Sequence, residues 1–234
     1  MYYPMFYDPT YILIIIGVFL SLAASAKVNS TFARYAGVRN RRGITGQMAA
    51  EQILHQAGIY DVQVQRISGK LTDHYDPKNK ILRLSDSTYG STSVAAVGVA
   101  AHECGHAIQH ATNYLPLSIR GALVPMANFG AQISWPMIII GLLFNGNMSG
   151  LFINLGILLF SCSVLFQIVT LPVEFNASSR ALHILGGSGL LDQEEVGQAR
   201  KVLGAAALTY VAGAAASILQ LLRLLILTRG RRDD

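Results

Sequence analysis

The 234-residue chain is long enough for one or two soluble domains, but 52% of it is apolar, 13% is charged and its mean hydropathy is +0.40. Soluble domains carry about 25% charged residues, so the composition argues for a membrane protein. The net charge of +5 accompanies no nucleic-acid reading motif or stacking platform. In an apolar chain it fits cytoplasmic loops that follow the positive-inside rule, and nucleic acid is excluded as a partner. The two cysteines, Cys104 and Cys162, imply no disulfide framework.

Tyr11 to Ala26 is an almost unbroken apolar run that, with its flanks, approaches the roughly 20 residues needed to cross a bilayer. Ala24-Ser25-Ala26 resembles a signal-peptidase site, but residues 1–10 contain Asp8 and no Lys or Arg, whereas a signal peptide needs a positive start. Positive charge follows the run instead, at Lys27, Arg34, Arg39, Arg41 and Arg42. The pattern predicts an uncleaved transmembrane helix over 8–27 with its N-terminus outside.

Residues 27–120 hold 11 Lys/Arg against 6 Asp/Glu, which places them in the cytoplasm. Thr45 reads as an N-cap, with Met48, Ala49, Ile53 and Leu54 at helical spacing before Gly58, and this predicts a helix over 45–57. Val62 to Arg66 alternates at period two as a half-buried strand does. Asp76-Pro77-Lys78-Asn79-Lys80 is a turn, and Ile81 to Leu84 a second strand. A further helix starts near Ser91 to Ser93 and ends near Asn113 or before Pro116. Residues 28–120 thus form a small α+β cytoplasmic region.

Apolar runs at 122–144 and 151–171 predict a tight membrane hairpin around the uncharged turn 145–150; Pro125 and Pro136 are tolerable in membrane helices. Residues 172–202 return to polar composition and predict a cytoplasmic helix, and 204–228 is a fourth apolar run. Four full spans would put Arg229, Arg231 and Arg232 outside, partly offset by Asp233 and Asp234, and Arg223 interrupts the last run. The sequence favours four spans and leaves open whether the last fully crosses. The expected fold is a mainly α integral membrane protein with about four transmembrane helices and a small α+β cytoplasmic domain.

The chemistry concentrates in Ala100-Ala101-His102-Glu103-Cys104-Gly105-His106-Ala107-Ile108-Gln109. His102 and His106 are four residues apart, so on a helix both imidazoles reach one cation, and Glu103 projects beside them as a base. A catalytic zinc needs three protein ligands and an open position. His110 is a poor third ligand: it lies eight residues past His102, about 12 Å along one helix. The metzincin pattern fails as well, because it needs Gly at 109 and His at 112, where this chain has Gln109 and Thr112. Glu174, in Leu171-Pro172-Val173-Glu174-Phe175-Asn176-Ala177-Ser178-Ser179-Arg180-Ala181, is the better candidate. Pro172 favours a helix start there, and Ala177, Ser178 and Ala181 form a small face that lets this helix approach another. The bland alternative is an interfacial carboxylate capping a helix.

With Leu71-Thr72-Asp73-His74-Tyr75-Asp76-Pro77, these segments resemble the YugP-type bacterial membrane zinc metallopeptidases, from the first span to Leu208-Thr209-Tyr210-Val211-Ala212. The resemblance implies one zinc per chain held by His102, His106 and Glu174, with Glu103 as catalytic base. It also implies a multi-pass protein of the bacterial cell membrane, its active site facing the cytoplasm. The pattern is related to the HtpX-type membrane proteases, whose third ligand is the Glu of Glu-x-x-x-Asp. Here Ser178 stands in place of that Asp, and Asn176 stands where YugP-type sequences often have Asp.

The predicted reaction is hydrolysis of peptide bonds in membrane-associated or misfolded proteins, with Glu103 taking a proton from a zinc-activated water and delivering it to the leaving amine. His74, Tyr75, Arg180 and His183 are candidates for oxyanion or substrate contacts, each with a solvated surface role as the alternative. Ile81 to Leu84 is a candidate edge strand for an extended substrate, and an ordinary place in the sheet explains it equally well. An intramembrane site-2 protease is disfavoured, because only Val94 to Ala101 is continuously apolar before His102 and residues 122–171 contain no Asp or Glu. A zinc-stabilised, non-catalytic membrane scaffold or partner-binding subunit is the non-enzyme alternative, and Glu103 argues against it because a structural site needs no base. Expected partners are protein or peptide substrates and the lipid bilayer; a membrane-protein partner or an oligomer is left open.

Overall fold

The computed structural model describes residues 8–144 and 147–229. In chain order the elements are α1 (Tyr11–Ala36), α2 (Gly46–Gln56), β1 (Gln63–Ile67), β2 (His74–Asp76), β3 (Ile81–Ser85), α3 (Val94–Ala111), α4 (Leu115–Leu143), α5 (Asn147–Gly187) and α6 (Gln193–Arg229). Among the described residues α1, α4, α5 and α6 are long and apolar enough to cross a membrane. The protein is a mainly α membrane protein with a small sheet. The charged tail Arg231, Arg232, Asp233 and Asp234, the turn residues Asn145 and Gly146, and residues 1–7 lie outside the described residues.

The chain divides into two compact units, the described parts of residues 1–24, 118–171 and 209–234, and residues 25–117 with 172–208. In the first, the apolar helices leave large side chains uncovered: Phe19 is 69% exposed, Leu22 66% and Leu143 78%, as hydrocarbon-facing residues are. Lipid tails are as apolar as leucine, so helix pairing here relies on close contact and interhelical hydrogen bonds. Gly141 supplies the contact, since a Cβ there would stand 2.7 Å from Ile153 Cγ1, and Gly156 faces the Ser134 carbonyl in the same way at 2.9 Å. Ser163 Oγ donates to the Ala127 carbonyl at 3.0 Å. Arg223, which interrupts the last apolar run, is 11% exposed at its side chain; it pairs with Asp8 at 3.0 Å and stacks 4.5 Å from the Tyr11 ring. A buried cation needs such a partner, and the pair accounts for an arginine within α6.

In the second unit α2 starts where its cap dictates: Thr45 accepts a hydrogen bond from the Met48 amide at 3.2 Å. Its apolar face, Ala49, Ile53 and Leu54, is buried with Leu82 and Leu84 of β3 and Val97 and Ala101 of α3. The three strands are ordered β1-β3-β2, β1 parallel and β2 antiparallel to β3. β3 is therefore the central strand, and the expectation that Ile81 to Leu84 is an edge is corrected. The reason lies in β2, a three-residue strand with no apolar alternation, which covers β3's second side by a hairpin through the Asp76–Lys80 turn. Asp76 holds that turn, accepting from the Lys78 and Asn79 amides and from Arg83. A further bond from the Asn79 side-chain amide at 2.8 Å, with that from Arg83, keeps its carboxyl well below the usual range.

Several helix boundaries differ from those the sequence predicts: α1 continues past residue 27 to Ala36, α4 begins at Leu115 rather than 122, and α5 and α6 meet elsewhere than expected. Pro172 lies inside α5, which runs unbroken to Gly187. A proline removes one backbone hydrogen bond, which a long, otherwise intact helix withstands. The break comes instead at Gly189, whose φ of +65° is open to glycine at little cost. α6 then begins at Gln193 through a capping box: the Glu195 amide donates to Asp192 and the Asp192 amide donates to Glu195, both at 2.9 Å.

Candidate metal centre

α3 opens on Ser93, whose hydroxyl accepts from the Ala96 amide at 3.1 Å, and its small apolar residues bury most of the helix. One turn apart on its free face stand His102 and His106, their rings edge-on with centroids 4.8 Å apart. The second half of α5 lies against this face. A Cβ on Gly105 would stand 2.6 Å from the Ala177 carbonyl oxygen, so the two backbones are in contact where the histidines project. Ala177 and Ala181 are fully buried in turn.

That contact delivers Glu174. Its Oε2 lies 3.3 Å from His102 Nε2 and 3.5 Å from His106 Nε2. The three ligand atoms fall within 4.8 Å of one another. Atoms bound about 2.0–2.1 Å from a tetrahedral zinc stand about 3.3 Å apart, and two imidazoles with one carboxylate are a donor set zinc accepts. The residues fit the ion. Both Nε2 atoms face the carboxylate because each Nδ1 is engaged elsewhere: His102 Nδ1 with Ser178 Oγ at 3.1 Å and His106 Nδ1 with Gln109 Oε1 at 3.0 Å. Gln109, fully buried, donates its amide to the Val173 carbonyl at 2.8 Å and to Asn176 Oδ1 at 3.0 Å. Such outer contacts fix a ligating imidazole's tautomer and orientation. Burial opposes a charge on His106, but its hydrogen bond to the Glu174 carboxylate and the charge of Glu103 outweigh it and raise its pKa.

Glu103 is 8% exposed, and among the described residues it makes no hydrogen bond or ion pair. Cys104 points the other way, into the core, its thiol pushed well up by burial; a buried, protonated thiol is inert as nucleophile or ligand. His110 ends α3 and is bonded through Nδ1 to the Tyr75 hydroxyl at 2.9 Å. His74 Nδ1 lies 2.9 Å from the Thr72 carbonyl, and its Nε2 lies 3.3 Å from Arg83. Arg180 donates through Nε to Asn176 at 2.8 Å and stacks 5.8 Å from the Tyr114 ring. His183 is exposed. The structure thus gathers His102, His106 and Glu174, links Arg180 to them through Asn176 and Gln109, and holds Tyr75 and His74 on β2 in bonds of their own.

Sequence reasoning did not find Gln109 and Ser178. The signal for Gln109 was its place three residues after His106, where helical side chains meet. Ser178, four residues past Glu174, stands where a carboxylate was expected and supplies the contact to His102 with a hydroxyl.

Four membrane-length helices and two histidines converging with a buried glutamate describe a membrane protein with a metallopeptidase-like centre. The chain belongs to the family described as "Putative neutral zinc metallopeptidase", whose model matches residues 10–229. It is similar to "Putative membrane protease YugP" of Bacillus subtilis (strain 168), 44% identical over 215 residues that cover 92% of this chain and 94% of that protein. No solved structure matches.

Proposed function

We propose that this chain is a membrane-anchored, zinc-dependent endopeptidase of the gluzincin type in a bacterial cell membrane. It binds one zinc per chain through His102, His106 and Glu174, and cleaves membrane-associated or misfolded proteins at the cytoplasmic membrane surface. The observation that carries this reading is the approach of Glu174 to both imidazoles, at 3.3 and 3.5 Å, from 72 residues further along the chain than His102.

Bound there, zinc supplies Lewis acidity toward water and the scissile carbonyl. Glu103 adjoins His102 and has no hydrogen bond of its own among the described residues, so its carboxylate is available to take a proton from the attacking water and return it to the leaving amine. Gln109 Oε1, which only accepts, holds His106 in the Nδ1–H tautomer that leaves Nε2 for the ion, and Ser178 Oγ orients His102 through its Nδ1. Arg180 is fixed at Nε by Asn176, and its terminal nitrogens make no hydrogen bond among the described residues; they are the favoured donors to the oxyanion or substrate, ahead of His74, Tyr75 and His183. The cytoplasmic placement is supported by the 11 Lys/Arg against 6 Asp/Glu in residues 27–120.

The test pairs zinc analysis with a casein or unfolded-protein cleavage assay on the wild type and Glu103→Gln. The variant should retain zinc and lose at least about 100-fold in rate. Undiminished proteolysis by the variant overturns the mechanism, and a wild type that holds zinc without cleaving anything supports the scaffold reading.

A further inference from the structure

Away from the candidate metal centre, α1 and α6 flank an open cleft of about 310 Å³ lined by Lys27, Thr31, Arg34 and Tyr35 on one side and Lys201, Gly204, Ala205 and Leu208 on the other. The spacing in each set is that of a single helix face. Gly204 and Ala205 leave the hollow by having little or no side chain. Three cations line it and no carboxylate does. Lys27, Arg34 and Lys201 form no ion pair among the described residues; Arg34 only stacks, 5.7 Å from the Tyr35 ring. Other cations of this unit do have carboxylate partners, among them Arg41 with Asp192, Arg66 with Asp86 and Arg83 with Asp76. The body of Tyr35 is buried, while its hydroxyl and that of Thr31 make no hydrogen bond among the described residues and stay available as donors in the cleft.

We propose that this cleft binds the phosphate of one anionic phospholipid headgroup, with Lys27, Arg34 and Lys201 supplying the charge and Tyr35 and Thr31 the hydroxyl donors. A phosphate anion suits a cleft lined by three cations and two available hydroxyls. Where the cleft stands in the chain favours a lipid over free phosphate. The apolar run of α1 ends at Ala26, immediately before Lys27, and that of α6 begins at Ala205, four residues after Lys201. Both helices therefore change from apolar to charged at this cleft, as a headgroup with attached acyl chains requires, and Leu208 continues the lining on the apolar side. Its volume is in the range of small-molecule sites, about 300–1,000 Å³.

The experiment is native mass spectrometry of the full-length detergent-purified protein titrated with phosphatidylglycerol or phosphatidylcholine. The wild type should retain one phosphatidylglycerol in preference to phosphatidylcholine. Lys27→Gln with Lys201→Gln should weaken retention about 25-fold, some fivefold per cation, with zinc content and helicity unchanged. Tyr35→Phe, which preserves packing and charge, is the second variant and should weaken it about tenfold. Equal retention of the two lipids, or unchanged affinity in both variants, overturns the proposal. Displacement of the lipid by millimolar inorganic phosphate would identify a free-anion site, and displacement by polyglutamate an acidic-peptide site; either result overturns the lipid assignment.

Discussion

Gly105 of α3 and Ala177 of α5 meet backbone to backbone, close enough that a Cβ on residue 105 would stand 2.6 Å from the Ala177 carbonyl oxygen. Neither helix can yield without carrying residues of the candidate metal centre with it, because His106 follows Gly105 and Glu174 lies one turn before Ala177. Gly105→Ala should therefore cost stability near the upper end of the about 1–3 kcal/mol of overpacking and lower the zinc content of the purified protein. Gly98 is the contrast on the same helix. A Cβ there would meet Ala199 Cβ at an ordinary 3.4 Å, so Gly98→Ala should be neutral or stabilising by about 0.5–1 kcal/mol. Thermal melts with metal analysis of both variants check the pair, and equal behaviour would remove the close approach as the explanation.

Glu174→Gln preserves the side chain's size and removes its charge. The variant should insert and fold with wild-type helicity but purify without zinc, because two neutral imidazoles on an otherwise open site bind weakly. A zinc chelator should abolish cleavage by the wild type, and added zinc should restore it there and not in the variant. Metal content and circular dichroism on the same samples give the readout; full zinc occupancy in Glu174→Gln would send the search for a third ligand elsewhere.

Gln109 joins His106 to Val173 and Asn176 from a fully buried position. Gln109→Leu keeps the bulk but strands an imidazole N–H and a carbonyl, and zinc affinity should drop about 10–100-fold. Ser178→Ala removes a single contact to His102 from a less buried position, and the loss should be smaller. Competition with a chelator of known affinity ranks the two, and the reverse order would show that the serine is the principal orienting group.

Asp8 and Arg223 test the span architecture independently of the metal. Asp8→Asn leaves the Arg223 side chain, 11% exposed, as an uncompensated cation. That costs about 3 kcal/mol, or a fall in Tm of roughly 6–12 °C for a chain of this length. The double variant Asp8→Asn with Arg223→Leu should recover most of that, since an apolar replacement no longer needs a partner. A double variant as unstable as the single one would show that the ion pair is not what Asp8 contributes.

What the sequence by itself determined were the properties carried by local period and composition. Tyr11 to Ala26 and the later apolar runs announce membrane helices because a bilayer demands an uninterrupted apolar length. Thr45 and Ser93 mark helix starts because capping is decided within four residues. The His102, Glu103 and His106 cluster is legible because i and i+4 share a helix face. Other features needed the folded chain. β2 was invisible because three residues carry no period, and only its pairing with β3 makes β3 central. Pro172 reads as a helix start in isolation, yet the flanking turns of α5 carry the helix through it. Above all, the convergence of Glu174 on two histidines 72 and 68 positions earlier depends on Gly105 meeting Ala177. No local rule encodes that contact, because it is a match between two surfaces, and until they are packed together Glu174 is one more carboxylate after an apolar run.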